Sequence, residues 1–330
     1  MSERTRLFSG MQPTGDFHIG NYLGAVRNWV EMQEEFDAIY CVVDLHALTV
    51  PYDAAALAER TRTLAANILA SGVDPDRATL FVQSHVHEHS ELAWILNTVT
   101  PMGELHRMTQ FKEKSDQHQR SVNVGLFAYP VLQAADILLY KAQAVPVGED
   151  QVQHIELARD IARKFNGRFG DVFPEPAPRL TAARRVIGTD GVRKMSKSLD
   201  NHLPVEDSPE ERWQRLSRAA TDPARVRRSD AGDPDKCNIY AWHRLFSPQD
   251  TLAFAAEGCR TAGIGCFDCK RRLDGHMEEV LGPIRERARA LKAAPGRVDE
   301  ILAAGAARCR AIARDTLAEV HDRLGLMRRP

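Results

Sequence analysis

The sequence has no apolar run near the roughly 20 residues of a membrane span, no apolar amino-terminal segment of the secretory kind, no internal repeat and no low-complexity tract. A surplus of charge is missing too. The 44 Lys and Arg residues face 45 Asp and Glu, a formal net charge of −1. That excludes a protein that holds nucleic acid by an overall positive field, so any RNA contact must rest on local patches. Nor is there a Gly-x-x-x-x-Gly-Lys-Ser/Thr loop, which disfavours P-loop kinases and ATPases. These absences point to a soluble, cytoplasmic protein. Its 330 residues, 43% of them hydrophobic, suffice for a substantial core, and the length predicts one large domain and one small one.

Short apolar runs alternate with helical patterns through the first half: Leu7-Phe8, Ile39 to Val43, Leu80 to Val82 and Val145 to Val147. This predicts an α/β fold with a parallel sheet covered by helices. Ile19, Leu23, Val26 and Val30 share one helical face, so a strand, a tight turn and a helix open the chain. Beyond Leu203-Pro204 strand-like runs nearly vanish, and Pro209, Pro223 and Pro234 punctuate segments rich in Arg, Asp and Ala. A boundary falls near residue 205. Val298, Ile301, Leu302, Cys309, Ile312, Val320 and Leu324 form one stripe at helical spacing, which predicts a long terminal helix that returns to the body.

Two segments carry phosphate chemistry. Phe8-Ser-Gly-Met-Gln-Pro-Thr-Gly15 follows the first strand and His18-Ile-Gly-Asn21 opens the helix. There Gly20 would admit ATP to the backbone, while His18 and Asn21 offer donors beside a helix amino terminus. Taken alone, this reads equally well as an ordinary strand-to-helix turn. The second segment, Lys194-Met-Ser-Lys-Ser198, sets two lysines three apart with hydroxyls around them. Such a loop can neutralise a departing pyrophosphate, although a lone lysine pair is more often a solvated surface.

Together, and in this order, the two segments resemble the signatures of class I aminoacyl-tRNA synthetases, which places ATP in a Rossmann-like domain. The resemblance to tryptophanyl-tRNA synthetases runs through almost the whole chain. It includes Phe8 to Ala25, Val42-Val-Asp-Leu-His-Ala47, Gly103 to Ser115, Ala134 to Tyr140 and Val145 to Gln151. The sister tyrosine enzymes usually carry a Gly-Ser-Asp-Gln type of sequence where this chain has Gly148-Glu-Asp-Gln151.

The resemblance implies a tryptophan–tRNA ligase built from a catalytic domain (1–205), a helical anticodon-binding domain (206–292) and a C-terminal helix (293–330) that packs back on the body. It assigns ATP to Gln12, Pro13, Thr14, His18, Gly20, Asn21, Gly148, Glu149, Asp150, Val186, Lys194, Met195, Ser196, Lys197 and Ser198. Asp150 takes the ribose hydroxyls. Lys194, Ser196, Lys197, Gln12 and Lys114 serve the chemical step, with Mg2+ bridging the phosphates. Tryptophan falls to Phe8, Val43, His46, Tyr129, Gln133, Asp136, Val145, Val147 and Gln151. Within that set Asp136 accepts the indole N–H, which has no counterpart in phenylalanine. Gln133 departs from the methionine common in bacterial relatives. The family also implies a homodimer, with tRNA(Trp) crossing between subunits and meeting arginines among Arg212, Arg215, Arg218, Arg225, Arg227 and Arg228. Two alternatives stand beside this reading: a tyrosine–tRNA ligase, and a paralogue that binds an amino acid or RNA without charging it.

Four of six cysteines, Cys237, Cys259, Cys266 and Cys269, form Cys-x21-Cys-x6-Cys-x2-Cys. Clustered thiols in a reducing compartment suggest tetrahedral zinc or an iron–sulfur cluster. Reduced thiols, or a Cys266–Cys269 disulfide formed on oxidation, remain the plain alternatives. Some tryptophanyl-tRNA synthetases carry a four-iron cluster on similar spacing, one residue longer in the first interval. That resemblance favours iron.

Overall fold

The computed structural model describes residues 4–109, 122–148, 151–180 and 186–327. Among these, β1 (Arg6–Met11), β2 (Asp37–Val42), β3 (Thr79–Val82), β4 (Ala144–Val147) and β5 (Ala177–Leu180) form one parallel sheet in the order β3-β2-β1-β4-β5. Successive strand residues point to opposite faces, and both faces are buried. Leu7, Ala38, Tyr40, Val42, Leu80 and Val82 belong to one apolar cluster, while Phe8, Ile39, Cys41 and Phe81 belong to the other. This two-sided burial is why the strands read as continuous apolar runs.

Helices cover the sheet. From β1 the chain enters α1 (Ile19–Asn21), passes a π turn (Tyr22–Val26) and continues as α2 (Arg27–Met32). Between β2 and β3 lie α3 (Asp44–Ala47) and α4 (Ala54–Ala70); between β3 and β4 lie α5 (Glu88–Asn97), α6 (Met102–His106) and α7 (Val124–Leu138). The connection from β4 to β5 is α8 (Val152–Phe169), followed after β5 by α9 (Pro209–Arg218), α10 (Asn238–Phe246), α11 (Gln249–Arg260), α12 (Cys266–Ala293) and α13 (Pro295–Leu324).

The predicted apolar runs lie in β1 to β4. β5 escaped the pattern: it is a short edge strand, largely exposed, and holds Pro178, which suits an edge because it has no N–H to give a ladder. At the opposite edge α13 crosses β3. Val298 and Leu302 join the first cluster, and Ala306, Cys309 and Ala313 the second. The crossing is close enough that a Cβ on Gly305 would come within 2.0 Å of the Leu80 carbonyl oxygen, so a glycine is required there. Leu216, Ile239, Trp242 and Leu273 share the first cluster with Leu7 and Val26, so the core runs without a break into α9, α10 and α12.

β1 is flanked by β2 on one side and β4 on the other, and the chain order reverses there. Ligands of open parallel sheets bind at the carboxyl ends of strands beside such a reversal. Gln12 follows β1, and Gly148 follows β4.

Candidate active site

His18 caps α1 reciprocally with Asn21: its Nδ1 accepts from the Asn21 N–H at 3.3 Å, and Asn21 Oδ1 accepts from the His18 N–H at 3.1 Å. Burial, followed by the charge of His202, pushes the His18 ring down to about 4. At neutral pH the ring is therefore uncharged. With Nδ1 accepting, its proton sits on Nε2 as a donor. Gly20 has a second task besides admitting a ligand, because a Cβ there would sit 2.9 Å from His18 Nδ1 and 3.6 Å from Met195 Cβ.

That contact joins the two signature segments. The Ile19 N–H donates to the Leu203 carbonyl at 3.0 Å and the Val205 N–H to the Phe17 carbonyl at 3.0 Å, which pins the start of α1 to the stretch after the lysine loop. The loop is shaped from beneath by Asn201, only 2% exposed: its Oδ1 accepts from the Ser196 N–H at 2.8 Å, and its Nδ2 donates to Asp190 Oδ2 at 3.0 Å. Burial opposes ionisation of Asp190, yet the N–H groups of Val192 and Arg193 and the Asn201 amide hold it down to about 2. The Met195 N–H donates to the Val186 carbonyl at 2.9 Å. Lys194, Lys197 and Ser198 stand exposed. Lys197 Nζ donates to Asp16 Oδ1 at 2.9 Å, and His202 Nε2 lies 3.4 Å from Asp16 Oδ2. Asp16 and His202 were not among the residues singled out from the sequence.

At the carboxyl ends of β1 and β4 opens a cavity of about 380 Å3. Its lining includes all nine residues expected at tryptophan: Phe8, Val43, His46, Tyr129, Gln133, Asp136, Val145, Val147 and Gln151. Gln12 and Gly148, expected at ATP, line it as well. β1, β4 and Val43 just after β2 supply the apolar wall, α7 supplies Tyr129, Gln133 and Asp136, and α3 supplies His46. The Tyr129 hydroxyl and His154 Nε2 are 3.0 Å apart. Pro13, Thr14 and Asn21 line an adjoining groove of about 470 Å3 that also includes Gln12.

Asp136 is 1% exposed and held by three side chains. Gln83 Nε2 donates to Oδ1 at 2.7 Å, His89 Nδ1 meets Oδ1 at 2.7 Å, and His46 Nε2 meets Oδ2 at 2.8 Å. Burial pushes the carboxyl up, but the hydrogen bonds from His46 and His89 prevail and hold it below the ordinary carboxylate range. The site therefore presents a desolvated anion in a wall that mixes Phe8, Val43, Val145 and Val147 with polar side chains. Sequence reasoning missed Gln83 and His89. Their signal was the run Gln83-Ser-His-Val-His-Glu-His89 directly after β3, at a strand end where ligand chemistry gathers.

Comparison with known proteins accords with this geometry. The family model for class I tRNA synthetases (W and Y) matches residues 1–282. The chain belongs to that family. The tryptophan–tRNA ligase of Deinococcus radiodurans is 54% identical, with 98% of this chain and 99% of that one covered, and the Thermotoga maritima ligase is 46% identical over the same shares. A solved structure of Campylobacter jejuni tryptophanyl-tRNA synthetase, complexed with ADP and tryptophan, superposes with a TM-score of 0.89 at 36% identity, covering 98% of this chain and 100% of that one.

Not every residue expected to serve this synthetase is brought to the cavity. Lys114, Glu149 and Asp150 lie outside the described residues. Arg212 and Arg225 are corrected from candidate RNA contacts to structural arginines. Arg212, 1% exposed, donates to Asp274 and Glu278 at 2.7 Å each, and Arg225 donates to the Ile264 carbonyl at 2.7 Å. Burial with these partners leaves them no reach toward phosphate. Arg218, Arg227 and Arg228 remain exposed.

The cysteines need a similar correction. Cys237 precedes α10, Cys259 lies in α11, and Cys266 and Cys269 begin α12. Burial, then the three other thiols, push Cys269 up to about 12, so all four gather in one corner. Yet among the described residues no group of three or more His, Cys, Asp or Glu side chains stands close enough to hold a metal ion. Arg225 Nη1 lies 3.8 Å from Cys259 Sγ, and His243 Nε2 lies 3.4 Å from Cys269 Sγ. The residues as placed thus do not fit a four-thiolate ligand set.

Proposed function

We propose that the chain joins tryptophan to tRNA in two steps, and the observation that carries this is the buried Asp136 anion in the wall of a cavity whose apolar side is Phe8, Val43, Val145 and Val147. Indole offers one donor and no acceptor, so an acceptor-only group selects it. Tryptophan lies in that cavity with its carboxylate turned toward Gln12 and the signature segments. The carboxylate attacks the α-phosphate of ATP and pyrophosphate leaves, so no protein nucleophile is needed and the protein's task is alignment and charge stabilisation. His18 donates from Nε2, and Lys194 and Lys197 neutralise the leaving pyrophosphate. Magnesium arrives as part of the ATP complex. A hydroxyl of the terminal ribose of tRNA then attacks the acyl carbon of the adenylate, the tryptophanyl ester forms and AMP leaves. Pyrophosphate exchange with each of the twenty amino acids is the test: exchange should depend on tryptophan, and tyrosine dependence or no exchange at all would overturn the reading.

The proposed division of labour puts activation in residues 1–205 and anticodon contact in 206–292, with 293–330 returning to the catalytic body. Among the described residues no helix is long and apolar enough to cross a membrane. The proposed working form is a homodimer. Its support is an apolar face on which Trp94 is 72% and Leu48 42% exposed, rimming a surface cavity that Tyr129 shares with the tryptophan site. Apolar surface of that kind marks an interface more often than free solvent contact. Trp94→Glu should halve the mass seen by sedimentation; an unchanged mass would remove this face from the interface.

A further inference from the structure

The network behind Asp136 fixes which atoms donate to it. An ionised carboxylate only accepts, so His89 Nδ1, His46 Nε2 and the Gln83 amide nitrogen must all donate to it. Gln83 cannot turn its amide around, because Gln83 Oε1 already accepts the Leu45 N–H at 3.1 Å, from the same short helix α3 that carries His46. The other ring nitrogen of His89, Nε2, lies 2.7 Å from the Tyr140 hydroxyl, which fixes the orientation of the ring. Tyr140 is fully buried and stacks on Phe8 of the cavity wall, with ring centroids 5.7 Å apart. Gln83 and His89 are each 0% exposed and do not line the cavity.

Two donors therefore occupy Oδ1 and one occupies Oδ2. A carboxylate has about four lone-pair directions, so the one left unused lies on Oδ2, the oxygen shared with the cavity-lining His46. We infer that Gln83 and His89 are positioning residues for tryptophan selection: by saturating Oδ1 they keep Asp136 ionised and turned so that only Oδ2 is left to receive an indole N–H. Tyr140 holds the His89 ring in the orientation that this requires. The adjacency is built by the sheet. β2 and β3 are parallel neighbours, so the segments after them, which hold His46 and Gln83, lie side by side, and Ser84 N–H donates to Asp44 Oδ1 at 2.9 Å to lock them.

This inference rests on the reading that Asp136 receives the indole, so the experiment separates the two. Asparagine at 89 can place an amide N–H near the Nδ1 position, whereas glutamine reaches instead toward the Nε2 position and leaves Oδ1 without that donor. His89→Gln should therefore raise the KM for tryptophan in pyrophosphate exchange at least about tenfold, with the KM for ATP and kcat nearly unchanged. His89→Asn should recover most of that loss, remaining within about threefold of the parent. Equal defects in the two variants, or tryptophan and ATP constants moving together, would mean a merely structural histidine and overturn the inference. Asp136→Asn run alongside identifies which idea fails. If it raises the tryptophan KM while His89→Gln does not, the positioning role is lost and the indole reading stands; if neither variant moves it, both are lost.

Discussion

Replacing Lys197 with alanine will slow formation of the tryptophanyl adenylate by about two to three orders of magnitude, the usual cost of removing one group that stabilises developing charge. Affinity for tryptophan should stay within about twofold, because the lysine acts as pyrophosphate separates and not on the bound amino acid. The structure adds a control. In the resting chain Lys197 pairs with Asp16, and both side chains are 48% exposed, so the pair contributes only about 0–1 kcal/mol to the fold. The variant should melt with the parent. Single-turnover activation measured with saturating ATP and tryptophan decides the matter, and an unchanged rate would strip Lys197 of its catalytic role.

Asp136→Ala will raise the KM for tryptophan by about ten- to a hundredfold, the equivalent of losing a hydrogen bond to a charged acceptor worth about 1.5–3 kcal/mol. Discrimination against phenylalanine should fall with it, since phenylalanine never used that acceptor. This substitution also strands donors on Gln83, His46 and His89 inside the protein. Each such loss costs about 1–3 kcal/mol, so the alanine variant should also melt earlier. Asp136→Asn keeps the volume and isolates the recognition effect. Its carbonyl can serve Gln83 and His89, but its NH2 then faces the place of the indole N–H, donor against donor. Tryptophan-to-phenylalanine ratios measured by exchange for both variants, beside their melting curves, test the claim; wild-type ratios in both would move indole recognition to another group.

Much of this fold is legible in the sequence. Strands buried on both faces leave short apolar runs, and these foretold β1 to β4. Lysines three apart, and His18 with Asn21, marked two segments that the fold brings together. The family resemblance then named nine residues for tryptophan, and all nine line the cavity. Where reading failed, a long-range partner decided the outcome. Arg212 and Arg225 looked like any surface arginine in an acidic stretch, until Asp274, Glu278 and the Ile264 carbonyl met them in the interior. β5 was invisible because an exposed edge strand has no reason to be apolar.

The sequence by itself determined the fold class, the family and the chemical identity of the groups in the cavity, because steric preferences and burial periodicity act between near neighbours in the chain and signature motifs are local. Only the tertiary structure decided what those groups do to one another. Gln83 and His89 reach Asp136 from a different strand end, and Lys197 finds Asp16 across the turn that follows β1. The charge state of Asp136 and the proton position on His18 follow from those meetings, since burial and hydrogen bonding set them and neither is encoded by a residue's neighbours in sequence.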